Sequence, residues 1–262
     1  MAAISREQHF GERGNSRPKA VESVSRRTVY KYHLFLLGVF EVVMPRARRM
    51  RIVVGLGLAL GLPFAHLSTL GKRYSGFGPL WGGEVFWWTL FAALIGYVLV
   101  VERKPLSSVG FRRLGLWDVG LAVIAAAIAI AGVLFILSVV LPALHIDVTE
   151  ETNALYATPL LYRVLLVTRA AFVEELAFRG YSFERITDLS GRTLVATLAT
   201  FVLFAAAHYP GGGAGDLIVA AWGSVVLTAL YIWRRNLWSN IICHWVVDCT
   251  GFVLVPVLSS HH

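Results

Sequence analysis

The sequence has few charged residues and few cysteines. Only 15% of its 262 residues are Asp, Glu, Lys or Arg, whereas about 25% is usual in soluble domains, and 56% are hydrophobic. The two cysteines, Cys243 and Cys249, lie six residues apart in one predicted helix and face different directions. Neither a disulfide framework nor a cysteine-based zinc site is therefore predicted. The composition indicates an all-α membrane protein with several spans.

The positive charge is not arranged for binding nucleic acid. The formal net charge is +8, but the basic residues cluster at the ends of apolar segments instead of forming one basic face. This pattern is typical of cytoplasmic loops of membrane proteins. It predicts the lipid bilayer as the chain's environment and excludes nucleic acid as its partner.

The chain begins with a polar segment that is not expected to fold by itself. Residues 1–33 are basic and show no hydrophobic periodicity, which predicts a disordered cytoplasmic tail. The apolar segment 34–44 is too short to span a bilayer and is interrupted by Glu41, so an eighth, interfacial helix is predicted there. The sequence thus divides into a tail, 1–50, and a membrane helical domain, 51–258.

Seven apolar segments in that domain are long enough to cross the membrane. The predicted transmembrane helices are 52–70, 85–101, 119–141, 160–180, 193–208, 217–233 and 237–258. The intervening loops alternate between basic ones and ones that lack Lys and Arg, with Lys72 and Arg73 as the exception. The positive-inside rule then places the amino terminus in the cytoplasm and the carboxyl terminus on the other side.

The fourth predicted span contains two adjacent acids and an arginine, in the stretch AAFVEELAFR. A carboxylate at the centre of a membrane helix costs roughly 2.5–3.5 kcal/mol. Glu175 and Arg179 are four residues apart and share a helix face, so they are expected to pair. Glu174 lies about 100° around the helix from Glu175. It is predicted to be the unpaired, functional acid.

Three further ionisable residues lie in the last three predicted spans. His208 follows Phe204 by one helical turn, just before Pro210 and a run of glycines, and His244 and Asp248 are stacked four apart. Unpaired, the three carboxylates of these helices would cost roughly 8–10 kcal/mol. These groups are therefore expected to converge on one another or on water, as in a hydrolytic site.

These residues resemble the three motifs of the CPBP intramembrane protease family, which comprises the type II CAAX prenyl endopeptidases and their prokaryotic relatives, the Abi group. The first motif, E-E-x-x-x-R, is Glu174, Glu175 and Arg179; the second, F-x-x-x-H, is Phe204 and His208; the third, H-x-x-x-N/D, is His244 and Asp248. The resemblance covers about residues 160–252. A weaker similarity lies in SSVGFRRLG, residues 107–115.

The resemblance implies an endopeptidase that cleaves membrane-associated or lipid-modified peptides or proteins in a prokaryotic cell membrane. It implies that Glu174 activates water with help from His208. His244 and Asp248 would stabilise the oxyanion, and Glu175 with Arg179 would shape and neutralise the site. Both a zinc-dependent and a glutamate-dependent, metal-free mechanism are compatible with the sequence. For zinc, the candidate ligands are His208, His244 and Asp248.

Asp248 departs from the commoner pattern, because many members of the family have Asn there. Asp248 would act as a protonated oxyanion donor, as an anionic group that orients His244, or as a metal ligand, and the donor role is preferred. Two other kinds of protein compete with the enzyme. One is a non-catalytic immunity or accessory protein that binds a peptide in the same cavity, and the other is a proton-coupled carrier.

Overall fold

The computed structural model describes residues 44–61 and 77–259, and these residues form helices and loops without any β-strand. The all-α fold class is thereby confirmed. The α-helices are α1 Arg46–Leu56, α2 Phe77–Gly96, α3 Leu116–Phe135, α4 Leu141–Ala143, α5 Thr149–Tyr156, α6 Leu160–Glu174, α7 Glu184–Ser190, α8 Thr193–Arg234, α9 Leu237–Cys249 and α10 Val255–Ser259. The π-helical segments Gly57–Gly61, Tyr97–Val101, Ile136–Val140, Glu175–Phe183 and Thr250–Leu254 continue several of them, and Leu106–Val109 is a 3₁₀ helix.

Four stretches of the described ranges are long and apolar enough to cross a membrane. They are Gly82–Val101, Leu116–Ala143, Thr193–Arg234 and Leu237–Leu258. The chain is thus a helical integral membrane protein, while the predicted count of about seven spans is not confirmed. The predicted span 52–70 is described only as far as residue 61, and the interfacial helix predicted at 34–44 lies outside the described residues except for Met44, which is not helical.

Several predicted boundaries need correction. Helix α1 begins at Arg46, so residues 46–50 of the predicted tail are helical. The acidic loop predicted at 142–159 contains the helix α5, and the helix that carries the first motif continues to Ser190 instead of ending at Gly180. In each case the polar residues that suggested a tail or a loop lie on a helix.

The long helix α8 folds back on itself. Twenty residues of straight helix would separate Phe204 from Ser224 by about 30 Å, yet Arg179 contacts both, with its guanidinium carbon 4.1 Å from the Phe204 ring centroid and its Nη2 donating to Ser224 Oγ over 3.1 Å. The backbone leaves helical geometry at Gly212 and Gly213. The φ of Gly213 is +62°, which favours glycine. Helix α8 therefore consists of two antiparallel arms. The turn between the arms lies where the sequence predicted a break between two spans.

The helix α6 lies inside the bundle, packed against α2 and α9. It is not one of the four candidate spans because, together with its π-helical continuation, it has more charged side chains than an apolar membrane span. The two arginines of α6 have partners within the protein: Arg163 donates to the Phe252 carbonyl, and Arg169 pairs with Glu84 at 3.0 Å. Neighbouring helices therefore take the place of water around these side chains.

The basic loops predicted to be cytoplasmic meet at one end of the bundle. Asp188 accepts from Arg48 and from Lys104, each at 3.0 Å. At the same end Arg235 pairs with Glu184 at 3.0 Å, and these two residues come from different predicted loops. The segments that the sequence predicts to be basic loops thus lie together in the structure.

Candidate active site

The first motif lies where the helix changes from α to π geometry. Glu174 ends α6, and Glu175 begins the π-helical segment Glu175–Phe183. Glu175 and Arg179 are fully buried and form the pair that their spacing predicts, with Arg179 Nη1 2.8 Å from Glu175 Oε1. Such π-helical turns are frequent at functional sites because they re-aim side chains within a continuous helix.

The π-helical segment is held against the 3₁₀ turn that precedes α3. A Cβ atom on Gly180 would lie 2.8 Å from the Val109 carbonyl oxygen, so the two backbones can approach this closely only with glycine here. Arg185 reinforces the contact by donating to the carbonyl and hydroxyl oxygens of Ser108 and to Glu102. Two residues of the stretch 107–115, Ser108 and Val109, thus lie against the helix that carries the first motif.

A network of buried polar side chains links the first motif to the third. His244 Nδ1 lies 2.9 Å from Glu175 Oε1, and Asn240 donates to Glu175 Oε2 over 3.1 Å. Because the arginine-paired Glu175 accepts, Nδ1 of His244 carries the hydrogen. The other ring nitrogen, Nε2, is 3.3 Å from Asp248 Oδ2. His244 is thus held between two carboxyl groups.

Two members of this network, Asn240 and Ser224, were not predicted from the sequence. Asn240 also donates to the Leu227 carbonyl over 2.7 Å, and Ser224 accepts from Arg179. Asn240 precedes His244 by four residues and so shares its helix face, which was the available signal. Ser224 is a single small polar residue in an apolar arm, and nothing in its sequence context indicates a partner.

The second motif fixes the orientation of His208. Its Nδ1 lies 2.8 Å from the backbone carbonyl oxygen of Phe204. A carbonyl only accepts, so Nδ1 donates, and Nε2 is left with the lone pair in the neutral ring. The Phe204 ring packs against His208, with centroids 4.7 Å apart, and also beneath the Arg179 guanidinium. Phe204 therefore connects the first and second motifs.

Glu174 and His208 face each other across a cavity of about 240 Å³. Glu174 Oε2 lies 3.9 Å from His208 Nε2, and among the described residues no group donates a hydrogen bond to this buried oxygen. His244 and Asp248 line the same cavity. The structure thus brings Glu174, His208, His244 and Asp248 to one cavity, with Glu175 and Arg179 buried behind His244. Arg169 and Asp216, which were not predicted as site residues, also line the cavity.

The candidate zinc ligands are not arranged as a metal site. In the part of the chain that the structure describes, no three His, Cys, Asp or Glu side chains are grouped closely enough to hold a metal ion. Both ring nitrogens of His244 already face carboxylate oxygens, and Nδ1 of His208 is bonded to the backbone. These side chains do not fit a tetrahedral zinc site as they stand.

The fold and the site define a class of protein: a helical membrane protein with a largely apolar cavity into which a few Glu, His and Asp side chains are brought together. Residues 156–250 match the family model for the type II CAAX prenyl endopeptidase Rce1-like proteins. The match confirms the resemblance to the CPBP family over this part of the chain and supports a CAAX-type intramembrane protease as the kind of function. Neither the curated proteins nor the solved structures contain a significant match.

Proposed function

We propose that the protein is an intramembrane endopeptidase that hydrolyses peptide bonds of membrane-associated or lipid-modified peptides, with Glu174 as the base that activates water. The observation that carries this proposal is the pair of Glu174 and His208 on the cavity wall. Their facing atoms are 3.9 Å apart, too far for a direct hydrogen bond, but one water molecule can contact both atoms.

In the proposed reaction this water attacks the carbonyl carbon of the peptide bond. Glu174 takes the proton of the water, and Nε2 of His208, which has the lone pair in the neutral ring, accepts a hydrogen bond from the same water. The carbon–nitrogen bond then breaks and Glu174 returns the proton to the leaving nitrogen, which gives a carboxylic acid and an amine. Transfer of the acid's proton to the amine yields a carboxylate and an ammonium group as the final products. General-base assistance of this kind contributes typically 10²–10⁴-fold to the rate.

His244 and Asp248 are proposed to stabilise the oxyanion of the tetrahedral intermediate. Nδ1 of His244 carries a hydrogen, and the other ring nitrogen, Nε2, lies 3.3 Å from Asp248 Oδ2. A hydrogen bond between Nε2 and Oδ2 requires one proton, which either atom can hold. That proton is engaged between the two side chains, so it stabilises an oxyanion at the cavity wall only by being shared with it. The geometry supports a role for Asp248 in holding His244 in position. It supports this role more strongly than the role of a free oxyanion donor, which the sequence favoured. No step requires a metal ion.

The proposal is tested with the purified full-length protein in detergent or lipid. Membrane-associated peptides, with and without a covalent lipid, are incubated with the wild-type protein and with Glu174→Gln, and the products are identified by mass spectrometry. We expect new amino and carboxyl termini with the wild-type protein and a loss of at least about 100-fold in rate with the variant. Equal cleavage by both proteins would contradict the proposal.

A further inference from the structure

A second cavity, of about 200 Å³, adjoins the candidate active site. It shares four polar wall residues with the larger cavity: Arg169, Glu174, His208 and Asp216. The described side chains that line only the second cavity are apolar. They are Trp87, Val173, Ala177, Phe178 and Ala207. Glu174 and His208 thus lie at the boundary of two cavities, one of which has a purely apolar wall beyond that boundary.

Two of the residues that line this cavity have small side chains, and the cavity occupies the space that larger side chains would fill. Ala177 and Ala207 are 1% and 7% exposed, and any larger residue at either position would extend into the cavity. Trp87 also lines the cavity, and the Arg169 guanidinium lies 5.4 Å from its ring centroid. Arg169 is in turn fixed by Glu84. The wall on this side is therefore held in place by an ion pair that is almost fully buried.

The volume of the second cavity limits what it can bind. Pockets for drug-sized molecules measure about 300–1,000 Å³, so a cavity of about 200 Å³ suits a single side chain better than a longer stretch of peptide. Consecutive Cα atoms of a peptide are about 3.8 Å apart. If the reacting carbonyl lies at Glu174 and His208, the residues on either side of the cleaved bond are therefore close to these two side chains. The side chain of a residue flanking the reacting bond can thus enter this cavity.

We propose that the second cavity is a specificity subsite that takes one large apolar side chain next to the cleaved bond, with Trp87, Ala177 and Ala207 setting its size. The inference rests on the proposed function, because the position of the subsite is defined by the cleaved bond. Apolar pockets discriminate between side chains that differ by one methylene by about 10- to 200-fold. A difference of several carbons between Ala and Phe should give at least tenfold.

The first test uses peptides of one sequence in which each residue flanking the cleaved bond is in turn Ala, Leu or Phe. We expect the wild-type protein to prefer Leu or Phe over Ala at one flanking position by at least tenfold in kcat/KM. Ala207→Leu should lower that ratio at least tenfold, and Trp87→Ala should shift it towards the larger residue. Trp88→Ala is the matched control, because Trp88 neighbours Trp87 on α2 but lines a different surface depression, with Thr89 and Ala92.

Absence of any preference in the wild-type protein would overturn the subsite, and so would an unchanged ratio in the variants. If Ala207→Leu does not fold, Trp87→Ala decides the question alone. An equal shift with Trp88→Ala would also overturn it, because the effect would then not belong to this cavity.

A second test reads binding without cleavage. A peptide of the same sequence, with benzoylphenylalanine placed in turn at each of its central positions, is crosslinked to the full-length Glu174→Gln protein, and the crosslinked residues are mapped by mass spectrometry. Crosslinks to Trp87 or Phe178 support the subsite, even if no peptide is ever cleaved and the proposed hydrolysis fails. Crosslinks confined to the larger cavity, at Val133 or Val219, overturn the subsite, even if hydrolysis is demonstrated.

Discussion

Glu174 and Glu175 are adjacent in the chain, yet their carboxyl groups lie in different surroundings. The side chain of Glu175 is completely buried and accepts from Arg179, His244 and Asn240, whereas that of Glu174 is 22% exposed and lines the cavity. The change from α to π geometry falls between these two residues. One acid is consequently part of the structural network, and the other is available for chemistry.

The different surroundings predict different consequences for the same substitution. Glu174→Gln should abolish most activity and leave stability within about 0.5 kcal/mol, because Glu174 Oε2 accepts no hydrogen bond from the described residues and lies 3.9 Å from its nearest basic group, His208. Glu175→Gln should destabilise the protein by roughly 3–5 kcal/mol, because it leaves Arg179 buried without a counter-charge. Activity on a peptide substrate and thermal unfolding in the same detergent provide the two measurements.

Arg179→Gln is the companion variant for Glu175→Gln, since it removes the other half of the same pair. We expect it to be destabilised to a similar extent and to be inactive. A Glu175→Gln protein that unfolds at the wild-type temperature but is inactive, together with an active Glu174→Gln protein, would reverse the assigned roles.

The close contact at Gly180 predicts a site-specific effect on folding. Gly180→Ala should destabilise the protein by about 1–3 kcal/mol, because the new methyl group would press on the Val109 carbonyl and push the π-helical segment away. Gly120→Ala is a suitable control, since a Cβ at Gly120 meets no atom within 4 Å. The control should be neutral or slightly stabilised, as expected for alanine in a helix. Equal unfolding temperatures for both variants would contradict this reading of the contact.

Local spacing was sufficient for the contacts made within one helix. The pairs Glu175–Arg179 and His244–Asp248 follow from a separation of four residues, and Pro210 with its glycines indicated where α8 turns. The π-helical segment was not predicted, because it depends on tertiary packing around Gly180. Similarly, Asn240 is an ordinary polar residue until its partner on another helix is known.

The membrane topology predicts where the carboxyl terminus lies. The basic residues near Arg48, Lys104 and Arg235 share one end of the bundle, and α9 begins at that end, at Leu237, and runs away from it. A reporter that is active only outside the cytoplasm should therefore work when it is fused after His262. A cytoplasm-only reporter at the same position should stay silent, and a signal from it would reverse the predicted orientation.

The most informative single substitution is Asp248→Asn, which keeps the shape of the side chain and removes its charge. If Asp248 acts by holding His244, activity should fall by about 10- to 100-fold, by analogy with the loss of a partner that orients a metal-ligating histidine. Binding of a peptide substrate, measured as KM, should change less than kcat, because the cavity wall keeps its shape.

Three outcomes of this substitution separate the roles open to Asp248, when turnover is measured across pH with and without added zinc. A fall in kcat that zinc does not restore supports the positioning role, in which the charge of Asp248 keeps the ring of His244 aligned. Persistent activity, together with disappearance of any loss at high pH, would instead identify Asp248 as a protonated donor, since Asn donates at every pH. A collapse that added zinc reverses would mean that Asp248 ligates a metal ion, because a neutral amide is the weaker ligand, and would overturn the metal-free mechanism.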